Sequence, residues 1–185
     1  MADGTPHARS AGGAPRASIE VGAPPAAVFE QLLDASSYPS WLVGARRIRS
    51  VDPSWPMVGA AFQHVIGGGP VAVPGSTTIV TLREPHELVL SAGMGILGRA
   101  VVRFVLEPRG PRGDTTLVSM YEAAAEGPAR WAWVGVRPLA LLALFGRNAL
   151  SLAHLRDLVE AQDGGPAGEA DPQRAEAHDD RADRE

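Results

Sequence analysis

The stretch IEVGAPPAAVFEQLLDASSYPSW, residues 19–41, contains a strand, a helix and a second helical turn in close succession. Apolar and polar residues alternate over Ala17–Val21, which predicts a strand with one buried face. Two prolines then end the strand and suit the first turn of a helix. Apolar residues recur at helical spacing after them, at Val28, Phe29, Leu32 and Leu33. A second short helical turn is predicted over Tyr38–Leu42.

The rest of the chain predicts strands followed by one long helix. Six short segments are rich in branched and aromatic residues and are separated by Gly, Pro and Asp, which is typical of antiparallel hairpins. They are Arg46–Asp52, Ala60–Ile66, Thr77–Glu84, Glu87–Met94, Arg99–Glu107 and Thr115–Glu126. From Pro138 to about residue 162 the period becomes helical, with Arg147 predicted on the flank of one stripe. The stripe residues are Leu141, Leu144, Phe145, Asn148, Leu152, Leu155, Val159 and Gln162. We therefore predict an α+β fold with a curved antiparallel sheet of about seven strands, two short helices after strand 1 and a long C-terminal helix.

Composition excludes several classes of chemistry. The chain of 185 residues has no cysteine, and all 17 of its basic residues are arginine. Disulfide scaffolds, thiol nucleophiles and thiolate metal sites are therefore excluded. The absence of lysine excludes Schiff-base catalysis and the P-loop.

Charge and composition also divide the chain. Residues 163–185 contain eight acidic residues and three arginines, whereas the remainder is close to neutral, so we predict no nucleic-acid partner. We expect a disordered tail over 1–16, one domain over 17–162 and a disordered acidic tail over 163–185. The start shows no secretory signal, and the weakly charged stretch 53–82 is broken by Gly and Pro. We expect a cytoplasmic monomer or homodimer without stable membrane insertion.

Several motifs carry a resemblance to a known superfamily. The spacing Ile19-x-x-x-Ala23-Pro24-x-x-x-Val28-Phe29-x-x-x-x-Asp34-x-x-x-Tyr38-Pro39-x-Trp41 is similar to the opening of SRPBCC proteins. Further matches are Val58-Gly59-Ala60-x-Phe62, Leu106-Glu107-Pro108, Gly113-Asp114-Thr115-Thr116-Leu117 and Arg147-Asn148. More narrowly, the chain resembles the polyketide cyclase/dehydrase and lipid-transport group, related to START domains and birch-pollen-type allergens. The resemblance covers about residues 17–161 and implies a helix-grip fold with a ligand cavity between sheet and long helix.

Alternation along the strands predicts which side chains face that cavity. On the sixth strand, Arg99, Arg103 and Glu107 mark the solvent face, so Phe104 and its even-numbered neighbours point inward. On the seventh, Thr116, Glu122 and Glu126 are taken as the outer face, which leaves Leu117, Ser119 and Tyr121 inside. The predicted ligand-binding residues are Phe62, His64, Leu90, Met94, Phe104, Ser119, Tyr121, Trp131 and Phe145. An apolar wall with a few convergent polar groups is typical of a small-molecule site.

Each of these assignments has a structural alternative. His64, Ser119 and Tyr121 could be wall residues whose polar atoms bond locally. Trp131 and Trp133 are predicted in a connection between the last strand and the long helix. There they either seal the core or form a cavity mouth or membrane-touching loop. Phe145 is either core or cavity lining.

Cofactor signals are weak. Residues 93–98 read G-x-G-x-x-G after a predicted strand, but the dinucleotide fingerprint must open a helix and the next segment alternates like a strand. The five histidines have no paired metal-ligand spacing. We predict neither a cofactor nor a metal.

Three functions are compatible with the sequence and the resemblance. The first is binding of a small hydrophobic or aromatic molecule, lipid or polyketide-like, in the cavity. The second is an enzyme of the cyclase/dehydrase type that uses the same cavity, and no catalytic residue is assigned. The third is a membrane-peripheral lipid carrier that uses the tryptophan segment.

Overall fold

The computed structural model describes residues 16–67, 72–93, 98–126 and 129–163, and side chains within these ranges except those of 16 and 124–145. The strands are β1 (Arg16–Val21), β2 (Ala45–Val51), β3 (Ala61–Ile66), β4 (Val73–Arg83), β5 (Glu87–Gly93), β6 (Arg99–Arg109) and β7 (Thr115–Glu126). The helices are α1 (Pro25–Leu33), α2 (Tyr38–Trp41) and α3 (Ala129–Asp163), and a 3-10 turn (Ala35–Ser37) joins α1 to α2. Of the predicted tails, 1–16 and 163–185, residues 1–15 and 164–185 lie outside the described residues, whereas Arg16 begins β1 and Asp163 ends α3.

All seven strands form one antiparallel sheet in the order β1-β7-β6-β5-β4-β3-β2. Strands β2 to β7 follow the chain as a meander of hairpins, and β1 pairs with β7. The helix α3 packs mainly on β1 and also contacts α2, β7 and α1. The sheet is curved and grips this helix, so the predicted α+β helix-grip fold is confirmed.

The core lies between the concave face of the sheet and the helices. The α3 residues Leu152, Leu155 and Val159 are buried, as is Asn148 one turn before them. This confirms the predicted stripe over the part of α3 whose side chains are described. A fully buried leucine side chain contributes about 1.5–3 kcal/mol of transfer free energy. No helix in the described part of the chain is long and apolar enough to cross a membrane.

The predicted start of the long helix was wrong. The helix begins at Ala129, nine residues before Pro138, so Trp131 and Trp133 belong to α3 and not to a loop. Proline favours the first helical turn because it lacks a backbone N–H, but a helix can include one at the cost of a hydrogen bond. Pro138 therefore did not mark the start of the helix.

Candidate functional site

A cavity of about 380 Å³ opens between the sheet, α2 and α3. Its walls come from the concave faces of β3 to β7, from α2 and the residues joining it to β2, and from Arg147 on α3. The lining residues are Tyr38, Trp41, Leu42, Val43, Gly44, Ala45, His64, Ile66, Gly67, Val73, Thr77, Leu90, Ala92, Ala100, Val102, Phe104, Glu122 and Arg147. Most of this wall is apolar, and the volume lies in the range of roughly 300–1,000 Å³ that is typical of small-molecule sites.

Aromatic rings form one side of the wall. The ring centroids of Tyr38 and Trp41 are 4.8 Å apart, and Trp41 meets Phe104 edge-on at 6.2 Å. The Tyr38 hydroxyl donates to the carbonyl of Leu32 at 2.8 Å, and the Trp41 indole N–H donates to Ser37 Oγ at 3.2 Å. Burial, with the nearby Asp34 carboxylate, raises the pKa of Tyr38 well above its usual range. These two side chains therefore present ring surface to the cavity, and their polar atoms are used elsewhere.

His64 brings an imidazole into the wall from β3. It lies opposite Gly75 of β4, and a Cβ at Gly75 would stand 2.7 Å from His64 Nε2. The His64 ring can occupy this space because Gly75 has no side chain. The imidazole is buried, and its Nε2 has no hydrogen-bond partner among the described residues. Burial lowers the pKa of His64, which favours the neutral ring near neutral pH.

Glu122 and Arg147 form the charged part of the cavity. Glu122 lies on β7 opposite the inward-facing Val102, and only 7% of the residue is exposed. Its Oε2 is 3.5 Å from Nη2 of Arg147 on α3. The distance between Oε2 and Nη2 is too long for a good hydrogen bond, and within the described chain both Glu122 Oε2 and Arg147 Nε are buried without a hydrogen-bond partner. The fully buried amide of the adjacent Asn148 is likewise unpaired among these residues.

These polar atoms do not form a metal site. Across the described ranges, no three His, Asp or Glu side chains come close enough together to hold an ion. The site therefore offers an apolar enclosure with an imidazole on β3 and with a carboxylate and a guanidinium where β7 meets α3. It can bind a ligand by desolvation of apolar surface and by hydrogen bonds to those three groups.

Residues 16–160 match a protein family described as polyketide cyclase / dehydrase and lipid transport. The chain belongs to this family. A search of curated proteins finds no match. The predicted resemblance is confirmed, and the match spans nearly the whole described domain of this polyketide cyclase/dehydrase family member.

Solved structures similar to this family member carry different descriptions. The Zhui aromatase/cyclase from Streptomyces sp. R1128 has a TM-score of 0.62 at 12% identity, over 83% of this chain and 96% of that one. StfQ, a di-domain ARO/CYC from the steffimycin biosynthetic pathway, has a TM-score of 0.63 at 14% identity, over 80% and 51%. SA2116 from Staphylococcus aureus, of unknown function, has a TM-score of 0.62 at 14% identity, over 80% and 95%. At these identities the similarity shows the shared fold.

The predicted orientation of β7 was wrong. Tyr121 lies opposite Arg103 in the register, and the Arg103 guanidinium stands over its ring at 5.9 Å on the outer face of the sheet. Ser119 is also on that face, where its Oγ lies 2.9 Å from Ser18 Oγ. A shift of one residue turns every side chain of a strand to the opposite face. Glu122, which we had placed outside, is therefore the β7 residue that the sequence reasoning missed.

A signal for the correct orientation was present in the sequence. Val118 and Met120 are both apolar and are fully buried on the inner face. They share the phase of Thr116 and Glu122, so the aliphatic pair could have outweighed the single charged residue. Arg147 was also missed as a lining residue, because the predicted helix stripe placed it on the flank.

The other predicted ligand-binding residues fall into three groups. His64, Leu90 and Phe104 line the cavity. Phe62 points inward but packs behind the wall, 4.9 Å from the Tyr38 ring and 5.4 Å from the His64 ring. The third group, Met94 and the side chains of Trp131 and Phe145, lies outside the described residues and side chains. The predicted strand after the glycine-rich motif is confirmed, since β6 begins at Arg99 and pairs with β5.

Proposed function

We propose that this family member binds a small, mostly apolar molecule that carries one polar end. One observation supports this most directly: a cavity of about 380 Å³ combines an apolar wall with three buried polar atoms that lack partners among the described residues. A buried polar atom without a partner costs about 1–3 kcal/mol. A ligand whose polar end meets these atoms would remove that cost.

The wall determines what kind of body the ligand has. Rings and aliphatic side chains such as Trp41, Leu90 and Phe104 surround the space. Each 100 Å² of apolar ligand surface transferred there contributes about 2.5 kcal/mol, from which the entropy of association is subtracted. The family description and the name of the Zhui aromatase/cyclase support a lipid or polyketide-like molecule as the ligand.

A second candidate is cyclase/dehydrase catalysis in the same cavity. It is favoured by the imidazole of His64, whose pKa is lowered by burial and whose Nε2 has no partner among the described residues, and by Arg147 in the same cavity wall. In this reading, the imidazole removes a proton from the carbon next to a ketone, and the guanidinium stabilises the enolate oxygen. The enolate carbon then attacks the carbon of a second carbonyl, whose C=O π bond breaks as the ring closes, and the resulting alkoxide takes the proton back from the imidazolium.

Native mass spectrometry of the purified chain, followed by organic extraction, tests the binding function. A stoichiometric apolar compound supports it. The extracted compound then serves as the probe for His64→Ala, with Tyr121→Phe on the outer face as the control. Loss of the imidazole should weaken binding by about tenfold, the equivalent of one hydrogen bond, whereas the control should bind like the wild type.

The same variants separate binding from catalysis. If ring closure occurs, product formation from a polyketone should stop in His64→Ala and continue in Tyr121→Phe. A chain that forms product at the wild-type rate without the imidazole would contradict the proposed catalytic role. A cavity that takes up no apolar compound and forms no product would contradict both functions.

A further inference from the structure

The polar end of the cavity restricts which end group a ligand can carry. This step rests on the function proposed above. A carboxylate such as that of Glu122 only accepts hydrogen bonds, and a guanidinium such as that of Arg147 only donates them. Glu122 Oε2 and Arg147 Nε are both buried, and neither has a hydrogen-bond partner among the described residues. A single ligand group that satisfies both atoms must itself donate one hydrogen bond and accept another.

Among the side chains that the structure describes, the charges that line the cavity are balanced. Glu122 and Arg147 are 3.5 Å apart, and they are the charged residues among the cavity-lining side chains that the structure describes. His64 lines the same cavity from β3, and burial lowers its pKa, which favours the neutral ring near neutral pH. A ligand carboxylate would therefore add a second negative charge beside Glu122, within apolar walls that screen charge poorly.

We propose that Glu122 determines ligand specificity. The cavity prefers an uncharged end group that both donates and accepts hydrogen bonds, such as a hydroxyl, and rejects a carboxylate carried on the same ring system. In the bound state the ligand hydroxyl donates to Glu122 and accepts from Arg147. A second polar atom of the ligand bonds to His64 Nε2, and the apolar wall contacts the rest. An ether, which accepts only, leaves the Glu122 oxygen unpaired.

Three probes with one ring system test this inference: naphthol, its methyl ether, and naphthoate. Calorimetric titration of the full chain near neutral pH should show naphthol binding at least about tenfold more tightly than either of the other two. This is the fold-change expected for one lost hydrogen bond to a charged group. The comparison uses the wild-type chain and needs no variant.

The variant Glu122→Gln tests the residue itself. Its amide has no charge and can donate as well as accept, so naphthoate should gain about tenfold in affinity and the gap between naphthol and the ether should narrow. A steric cause of weak ether binding would leave that gap unchanged. Glu107→Gln is the matched control, because it removes the same charge from an exposed, outward-facing position on β6. It should bind all three probes like the wild type.

The outcomes distinguish this inference from the proposed function. Naphthoate or the ether binding the wild type as tightly as naphthol overturns the inference and leaves apolar ligand binding intact. If none of the three probes binds and native mass spectrometry finds no ligand, the proposed function itself fails. Circular dichroism verifies the fold of Glu122→Gln. If that variant does not fold, the three-probe comparison on the wild type still decides between these results.

Discussion

Substitution of Gly75 by alanine tests the placement of the His64 imidazole. An added Cβ would lie 2.7 Å from His64 Nε2 and 2.7 Å from the carbonyl oxygen of Gly93 on β5. Both contacts are shorter than folded proteins tolerate. The ring can rotate away, but the carbonyl belongs to a paired strand and cannot move without disturbing the β4–β5 ladder.

The direction of the change in unfolding free energy distinguishes Gly75 from a glycine in open space. In open space, Gly→Ala lowers the entropy of the unfolded chain and stabilises a protein by about 0.4–1 kcal/mol. Overpacking at Gly75 instead costs about 1–3 kcal/mol, so the net loss should be about 1–2 kcal/mol. For a chain of this size, that corresponds to a fall in Tm of about 2–8 °C.

Urea unfolding of four chains measures the coupling: wild type, Gly75→Ala, His64→Ala and the double variant. Removal of the imidazole leaves the Gly93 contact as the nearest one, so Gly75→Ala should cost at least about 0.5 kcal/mol less in the His64→Ala background. Gly146→Ala on α3 is the control, since its added Cβ would point into open space beyond its own helix, and it should stabilise the chain. An equal cost of Gly75→Ala in both backgrounds would refute contact between the ring and Gly75.

Three further predictions follow from burial and charge. The pKa of the folded His64 lies below its usual 6.5, so as the pH falls the unfolded chain binds a proton before the folded chain does. The stabilising contribution of His64 should therefore be fully present above about pH 6.5 and be lost as the pH drops below it. Urea unfolding at about pH 7.5 and about pH 5.5 should show this loss in the wild type and not in His64→Phe. On β7, Met120→Ala should cost about 2–5 kcal/mol by thermal unfolding and Ser119→Ala about 1 kcal/mol, and the reverse order would contradict the strand orientation. On α3, buried Leu155→Ala should cost about 2–5 kcal/mol, whereas half-exposed Leu150→Ala should change stability by less than about 1 kcal/mol.

The strands and their inner faces were readable from the sequence where one face is uniformly apolar. On β6, the charged residues Arg99, Arg103 and Glu107 mark one face. The apolar residues of the other face are buried in the core, and they are Ala100, Val102, Phe104 and Leu106. On β7 the two faces are nearly equal in hydropathy, because Leu117 and Tyr121 oppose Val118 and Met120. Local alternation then gives two faces without deciding which one is buried. The pairing of β7 with β6 and β1 decides it.

The charged pair in the cavity could not be predicted from the sequence, because it too depends on contacts between separate elements. Glu122 and Arg147 lie on different elements, and neither stands in a motif that signals a buried ion pair. Charged residues are rarely buried, so each is assigned to solvent unless a partner is known. The partner becomes known only when α3 has packed against the concave face of the sheet.

The sequence by itself determined the order of strands and helices along the chain and the family resemblance. It also excluded the chemistry that requires cysteine or lysine. These features depend on residue type and on short-range periodicity. The tertiary structure decided that His64 lies across Gly75, that β7 turns Glu122 inward, and that Arg147 meets it there. These contacts join residues far apart in the chain, and they form because sheet register and helix packing bury as much apolar surface as the whole chain allows.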